Sequence, residues 1–267
     1  MSVASARSAL AARVAAAGLD WIVPEWAAPG WVCALSTTRH GRAGAPFDLA
    51  RNHSQFAAAR AELRRWLPAD PVWLAQVHGA AICDADAATA LAGPPPPEAD
   101  AAVARGTAVV CAVRTADCLP VLLSDRKGTV VAAAHAGWRG VAAGVLEASI
   151  AAMRTAPAEI SAWLGPAIGP VAFEVGADVY AAHCAADAGA AECFAPHRPG
   201  KWLADLYALA RRRLQRAGVS AIAGGGRCTL TESGTFHSHR RDGAAAGRMA
   251  TLIWIAAAPR GREMREH

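Results

Sequence analysis

Lysine is almost missing from this 267-residue chain: of 27 basic residues only Lys127 and Lys201 are not arginine. Against 22 acidic residues the formal charge is +5 and the isoelectric point lies near 9.0. Such an excess permits a polyanionic partner. Arginine in place of lysine, together with abundant alanine, is also what a GC-rich coding sequence produces, so no nucleic-acid partner is expected. The chain has no CxxC pair, and its seven cysteines (33, 83, 111, 118, 184, 193 and 228) are odd in number and scattered. That excludes a regular disulfide framework and predicts buried thiols acting as small hydrophobes. There is no run of 18 apolar residues, hence no membrane span. Arg7 and Arg13 interrupt the only stretch resembling a signal peptide, so the cytoplasm is the expected compartment. No internal repeat is visible.

What is present is a composition 54% hydrophobic and 18% charged, enough for a substantial core. Helical spacing is expected over Ser5 to Ala17, in "FAAARAELRRWL", in "VAAGVLEASIAAMRT" and in "DLYALARRRLQRAG". The last has Gly218 as a C-cap and an arginine run read as a solvated face. Strands are expected in "WVCALSTTR", twice around Gly79, in "TAVVCAV", "LPVLLSD", "TVVAAAHAG", "ISAWLG" and "RMATLIWIAAA". The interspersed elements predict an α+β fold, mixed sheets in layers flanked by helices, as one domain over residues 1–267. Residues 94–97 are expected to form a proline-rich surface loop and 259–267 a disordered charged tail.

The stretch from Arg114 to Gly140 raises the chemical question, since Cys118 and His135 mark the outer limits of its apolar runs. "DRKG" is turn chemistry, so the two strands read as an antiparallel hairpin. A two-residue loop of Arg126 and Lys127 sets Cys118 directly opposite His135, with Cβ atoms about 4.5 to 5.5 Å apart. That spacing suits two ligands of one metal or a Cys/His catalytic pair. A three-residue loop with Gly128 in a bulge is the competing register and turns the two side chains to opposite faces. His78, in "AQVHGA", reads by itself as a turn residue as readily as a ligand.

The segments "LAQVHG", "TADCLPVLL", "AAHAGWRG", "GPAIGPVAFEV", "DLYALARRRL" and "CTLTESGTFHSHRRDGAAAGRMATLIWI" together resemble the YfiH-like laccase-domain family. Its members are called multicopper polyphenol oxidases, purine nucleoside phosphorylases or peptidoglycan editing factors. The likeness runs in order from Thr37 to Ile255. It implies layered mixed sheets with the site at one sheet edge, and a zinc ion on His78, Cys118 and His135, which favours the register pairing the last two. It further implies phosphate-dependent cleavage of adenosine, inosine, guanosine and methylthioadenosine, with adenosine deaminase activity besides. The chain departs from the family pattern where the loop after "TTR" keeps only Asn52 as a counterpart, where Val171 and Ala172 replace cysteines, and where "HSHRR" brings His237 and His239 near the site.

Two imidazoles and a thiolate suit zinc, with copper as a non-native substitute, and three ligands leave a fourth position open. A bound water would be acidified toward a pKa of about 7. Phosphorolysis needs fixed cations for the phosphate, and Arg39, Arg139, Arg240, Arg241 and Arg248 lie in the motif segments, Arg39 and Arg241 being the preferred pair. The start of the helix after "HAGWRG" is a further candidate for holding an anion. Asp117 and Asp242 are candidates for orienting ligands. His237 or His239 is a candidate for protonating the departing base. Nine scattered histidines are too few for a four-copper oxidase. The expected partners are a small nucleoside and phosphate, with the chain a monomer or weak homo-oligomer. Three alternatives compete: a metal-free Cys118/His135 hydrolase, supported by likeness to the fold of Cys/His deamidating toxins; an editing factor for cell-wall precursors; and a regulatory binding module without turnover.

Overall fold

The computed structural model describes residues 5–51, 53–90 and 95–256. Asn52, Pro94 and the segment 259–267 therefore lie outside the described residues, and the structure bears on none of the expectations placed on them.

Two sheets face each other. The first has four strands in the order β1 (Val32–Ser36), β13 (Met249–Ile255), β5 (Val110–Thr115) and β2 (Pro71–Val72). The second has six, in the order β12 (Ala221–Gly224), β8 (Ile160–Leu164), β6 (Leu119–Asp125), β7 (Val131–Ala136), β4 (Ala101–Ala104) and β3 (Ile82–Asp84). Parallel pairs β2·β5, β3·β4 and β8·β12 sit among antiparallel ones, so both sheets are mixed. A small third sheet, β10 (Phe194–Arg198), β11 (Lys201–Ala204) and β9 (Glu174–Gly176), adjoins α6 (Ala177–Cys184).

Side chains alternate across a strand, and this alternation builds the layers. Val32, Ala34, Cys111, Val113 and Ile253 meet Leu122, Val131, Ala133 and Ala102 between the two sheets. The opposite face of the first sheet, with Cys33, Leu35, Ala112 and Leu252, is covered by α1 (Ala6–Ala16) through Leu10 and Val14 and by α2 (Phe56–Arg64) through Ala59 and Leu63. The opposite face of the second, with Val121, Leu123, Ala132 and Ala134, packs on α4 (Trp138–Ala143), α5 (Val145–Met153) and α7 (Leu206–Arg216). The result is a mixed α/β sandwich of helices, sheet, sheet and helices. The remaining α-helices among the described residues are α3 (Ala85–Ala90) and the single turn α8 (His239–Asp242).

Three expectations are corrected. The helix read over "VAAGVLEASIAAMRT" breaks at Gly144, whose φ of 90° ends α4 and begins α5. The arginine run of α7 is not simply solvated: Arg212 and Arg216 grip Asp187, and Arg213 pairs with Glu147. The β6–β7 loop is neither of the short forms expected. Leu119 pairs with Ala136 and Ser124 with Val131, and Asp125 closes the turn by accepting the N–H groups of Thr129 (2.7 Å) and Val130 (3.0 Å). His135 therefore stands opposite Pro120, two residues from the expected partner. A two-residue shift preserves the face, so Cys118 and His135 remain on the same side, diagonally related. None of the seven cysteines is in a disulfide; five are buried, while Cys118 and Cys184 are partly exposed.

Candidate metal centre and the cavities it joins

His78, Cys118 and His135 converge, their ligating atoms all within 4.8 Å of one another. Among the described residues this is the one such group of three. It lies at the ends of β6 and β7, the two central strands of the six-stranded sheet, and not along an outer strand. His135 is in β7 and points between the sheets. Cys118 immediately precedes β6, and His78 stands on the loop joining β2 to β3. Beyond the end of the ladder Cys118 faces Gly137, where an added Cβ would lie 2.8 Å from the Cys118 sulfur and 3.5 Å from His78 Cδ2. The glycine of "HAGWRG" thus leaves room for the sulfur.

Asp100, fully buried just before β4, organises this centre. Its carboxylate accepts the backbone N–H groups of Val77 (3.2 Å), His78 (2.9 Å) and Gly79 (2.7 Å), and Nδ1 of His135 at 2.8 Å. Burial by itself would raise the Asp100 pKa; the His135 bond and the Gly79 and His78 N–H groups outweigh it and hold the carboxyl below the usual range. An ionised carboxylate only accepts, so Nδ1 of His135 carries the proton and Nε2 is left to face the thiol. Burial opposes ionisation of Cys118, but His135 and His78 overcome it and bring its pKa down to about 6. Burial likewise opposes charge on His135, and Asp100 and Cys118 raise it to about 9. The sulfur is thereby held as thiolate, the form that ligates metal.

Two residues at the centre adopt left-handed backbone without being glycine: His78, with φ 63°, and Asp117, with φ 82°. Such conformations cost on the order of 1 kcal/mol or more each and persist where the surroundings fix them. Asp100 fixes the first. Asp117 is fixed by its own carboxylate, which accepts from the hydroxyls of Thr229 and Ser238 and from the Arg240 N–H. Asp117 therefore ties the "HSHRR" segment to the Cys118 turn and touches neither imidazole. Asp242 pairs with Arg241. The ligand-orienting role expected of these two falls to Asp100.

Two cavities meet at this centre, His135 facing only the first. One, of about 440 Å³, is lined by Arg51, Gln76, Arg114 and Arg248. The other, of about 310 Å³, is lined by Trp138, Arg139, Ile168, Phe173, Leu206 and Arg240. His78, Cys118 and His239 border both. In the second cavity the guanidinium of Arg139 stacks on Trp138 (4.3 Å) and that of Arg240 on Phe173 (5.5 Å). Thus Arg139, Arg240, Arg248 and His239 are brought to the centre. Arg39 and His237 are not: they line a separate cavity of about 720 Å³ with His40, Asp48, His53 and Asp242, where His237 Nε2 donates to the Phe47 carbonyl (2.9 Å). Arg241 spends its guanidinium on the carbonyls of Thr229, Leu230 and Phe236 and on Asp242. The preferred arginine pair is therefore corrected. The sequence reading missed Asp100, Arg51 and Arg114. It quoted Gln76 in a motif without a role, although the Gln76 amide donates to the Arg114 carbonyl and accepts its N–H, both at 2.8 Å.

A layered α/β protein with one His–Cys–His centre between an arginine-lined and an aromatic-lined cavity is the class that fold and site define. The family model described as multi-copper polyphenol oxidoreductase laccase matches residues 36–256, and the chain belongs to this YfiH-like family. It is 48% identical over 246 residues to the Escherichia coli protein named purine nucleoside phosphorylase YfiH, covering 88% of this chain and 98% of that one. A Xylella fastidiosa protein named purine nucleoside phosphorylase is 46% identical over 259 residues, with 88% and 97% covered. The crystal structure of a Neisseria meningitidis protein superposes with a TM-score of 0.82 at 46% identity, over 89% of this chain and 99% of that one. No described helix is long and apolar enough to cross a membrane.

Proposed function

We propose that this chain is a zinc-dependent purine nucleoside phosphorylase that acts on adenosine first, with inosine, guanosine and methylthioadenosine as further substrates and adenosine deamination as a side activity. The observation that carries this reading is the meeting of two cavities at His78, Cys118 and His239, one lined by Arg51, Gln76, Arg114 and Arg248 and the other by Trp138, Phe173, Ile168 and Leu206 together with Arg139 and Arg240. Adjoining cavities of this kind give room for an anion and a nucleoside to lie side by side. The names of the relatives agree with it.

The donor set fits zinc: one thiolate and two imidazoles would hold a single ion, with His135 oriented by Asp100. When bound, such an ion supplies Lewis acidity toward an oxygen ligand. The remaining work falls to the chain. Guanidinium groups of the first cavity hold phosphate while Trp138 and Phe173 receive the purine. A phosphate oxygen then forms the bond to C1′ of the ribose as the C1′–N9 bond breaks. The electron pair leaves on the purine, which takes up a proton, and His239, bordering both cavities, is placed to deliver it. The products are free base and ribose 1-phosphate. Fixing both reactants removes an entropic barrier worth roughly 7 to 11 kcal/mol in favourable cases.

The test is adenosine turnover at phosphate concentrations from none to saturating, with adenine, inosine and hypoxanthine followed separately. Adenine should form only with phosphate, whereas deamination should release ammonia without it. If adenine never appears and phosphate changes nothing, the phosphorylase reading is wrong.

A further inference from the structure

We infer that Arg51, Arg114 and Arg248 form the seat of a phosphoryl dianion, with Arg114 its fixed centre; this deepens the phosphorylase reading and rests on it for the identity of the anion as co-substrate. Neither Arg51 nor Arg114 lies in a quoted motif or is given a role by the resemblance, and the argument for them is electrostatic.

Among the described residues, nine arginines elsewhere in the chain are matched to carboxylates, while others, Arg139 and Arg240 included, are not. Arg198 is held by Glu174, Arg227 by Glu232, Arg213 by Glu147, Arg241 by Asp242, and Arg212 with Arg216 by Asp187. The three guanidiniums of the first cavity have no such partner among the described residues. Like charges gathered without a counter-charge repel one another, and a fold that keeps them together in a cavity is complementary to an anion that enters it.

Arg114 shows the same mismatch at the level of single atoms. Its two terminal nitrogens reach only the carbonyls of Leu49 and Leu74, both at 3.4 Å, and its buried Nε has no partner. Burial, followed by the charges of Arg51, Arg248 and Arg60, lowers its pKa to about 10. A guanidinium is charged at neutral pH all the same, so the group is a half-buried cation with donor capacity unspent.

Its placement is rigid. Arg114 closes on the Gln76 amide through both backbone groups, and Gln76 lies two residues before His78. One loop therefore fixes the distance from the anion seat to the metal ligands. Arg248 is held by the carbonyls of Ala246 (2.6 Å) and Gly247 (2.9 Å), while Arg51 stands exposed at the mouth. Three planar forks arriving on different elements suit a tetrahedral dianion with several terminal oxygens better than a flat carboxylate. The dianion has two possible sources, inorganic phosphate or the 5′-phosphate of a nucleotide, and the same three residues recognise either.

The test pairs binding with kinetics. Inorganic phosphate and, separately, adenosine 5′-monophosphate are titrated into the zinc-loaded wild-type protein and into Arg114→Gln, Arg51→Gln and the distant charge control Arg126→Gln, reading binding by calorimetry. Binding of at least one ligand to wild type, weakened roughly 10- to 100-fold in both cavity variants and unchanged in the control, is the expected result. Whichever of the two binds identifies the source. The phosphate KM for adenosine cleavage should rise by a similar factor with the adenosine KM held within about twofold. Should Arg114→Gln fail to fold, Arg51→Gln, altered at an exposed position, decides alone. Wild-type binding and phosphate KM in Arg51→Gln and Arg114→Gln overturn the inference while leaving the phosphorylase reading intact. Arginine-dependent phosphate binding without nucleoside cleavage leaves the seat standing and overturns the phosphorylase reading.

Discussion

Asp100 and His135 are joined at 2.8 Å between Oδ1 and Nδ1, and both oxygens of that carboxylate also take backbone N–H groups from the loop that carries His78. One side chain thus positions two of the three ligands. Replacing it by Asn keeps the shape but puts an NH₂ group where an N–H must be accepted. Asp100→Asn should weaken metal binding roughly 10- to 100-fold, measured by competition with a chromogenic chelator. Wild-type affinity in that variant would refute the role given to Asp100.

The three candidate ligands are legible in the sequence through the family motifs they stand in, and the hairpin argument brings Cys118 and His135 to one face in only one of its two registers. The register is misread because the side chain of Asp125 lengthens the loop, and side-chain capping leaves no mark on apolar periodicity. Asp100 is illegible for another reason. It follows a proline tract as any turn aspartate might, and its partners arrive only when β4 pairs with β7, a pairing that the short "AAVA" does not announce. The edge strand β10 hides for a related cause, since Pro196 within it argues against any strand. Arg114 begins the stretch that first drew notice, yet nothing in its neighbourhood distinguishes a cavity cation from a surface one.

Gly137 leaves no space for a side chain beside the thiolate. Gly137→Ala would put a methyl 2.8 Å from the Cys118 sulfur, inside van der Waals contact, so the sulfur must move. Metal affinity should fall by roughly tenfold or more while far-ultraviolet circular dichroism is unchanged. Full retention of affinity would show that the sulfur is free to shift without cost.

A single metal per chain is expected from the one convergent group of three. Elemental analysis of protein purified without added metal should give near-stoichiometric zinc, and Cys118→Ala should lose most of it. A four-copper oxidase needs ligands that the described residues do not gather. Copper loading should saturate near one ion per chain, and phenol oxidation should not exceed that of free copper; several bound coppers with enzymatic turnover would contradict this.

Arg241 is expected to serve the fold. Its guanidinium ties three backbone carbonyls and Asp242, so Arg241→Ala should lower stability by about 1 to 3 kcal/mol in urea unfolding. Its phosphate KM should stay within about twofold of wild type. A large rise in that KM would return Arg241 to the site.

His183, buried in α6 with its Nε2 unpartnered, is held neutral: burial first, then the charge of Arg213, brings its pKa down to about 4. The unfolded chain protonates this group below about 6.5 and the folded one does not. Its contribution is therefore complete above pH 6.5 and is lost as pH falls from there toward 4, to the extent of roughly 3 kcal/mol. Urea unfolding at several pH values should show this loss in wild type and a flatter profile in His183→Leu. Equal slopes would remove His183 as the cause.

The left-handed turn at His78 has a consequence for the order of events. Asp100 holds residues 77 to 79 through three N–H groups, bonds that fix the loop without calling on the ion. Capture of the metal then carries little ordering entropy, unlike that of small domains which collapse around their ion. Chelation should therefore leave a folded protein with a cooperative melt, and readdition of zinc should restore the centre at the speed of ligand exchange, without a refolding phase.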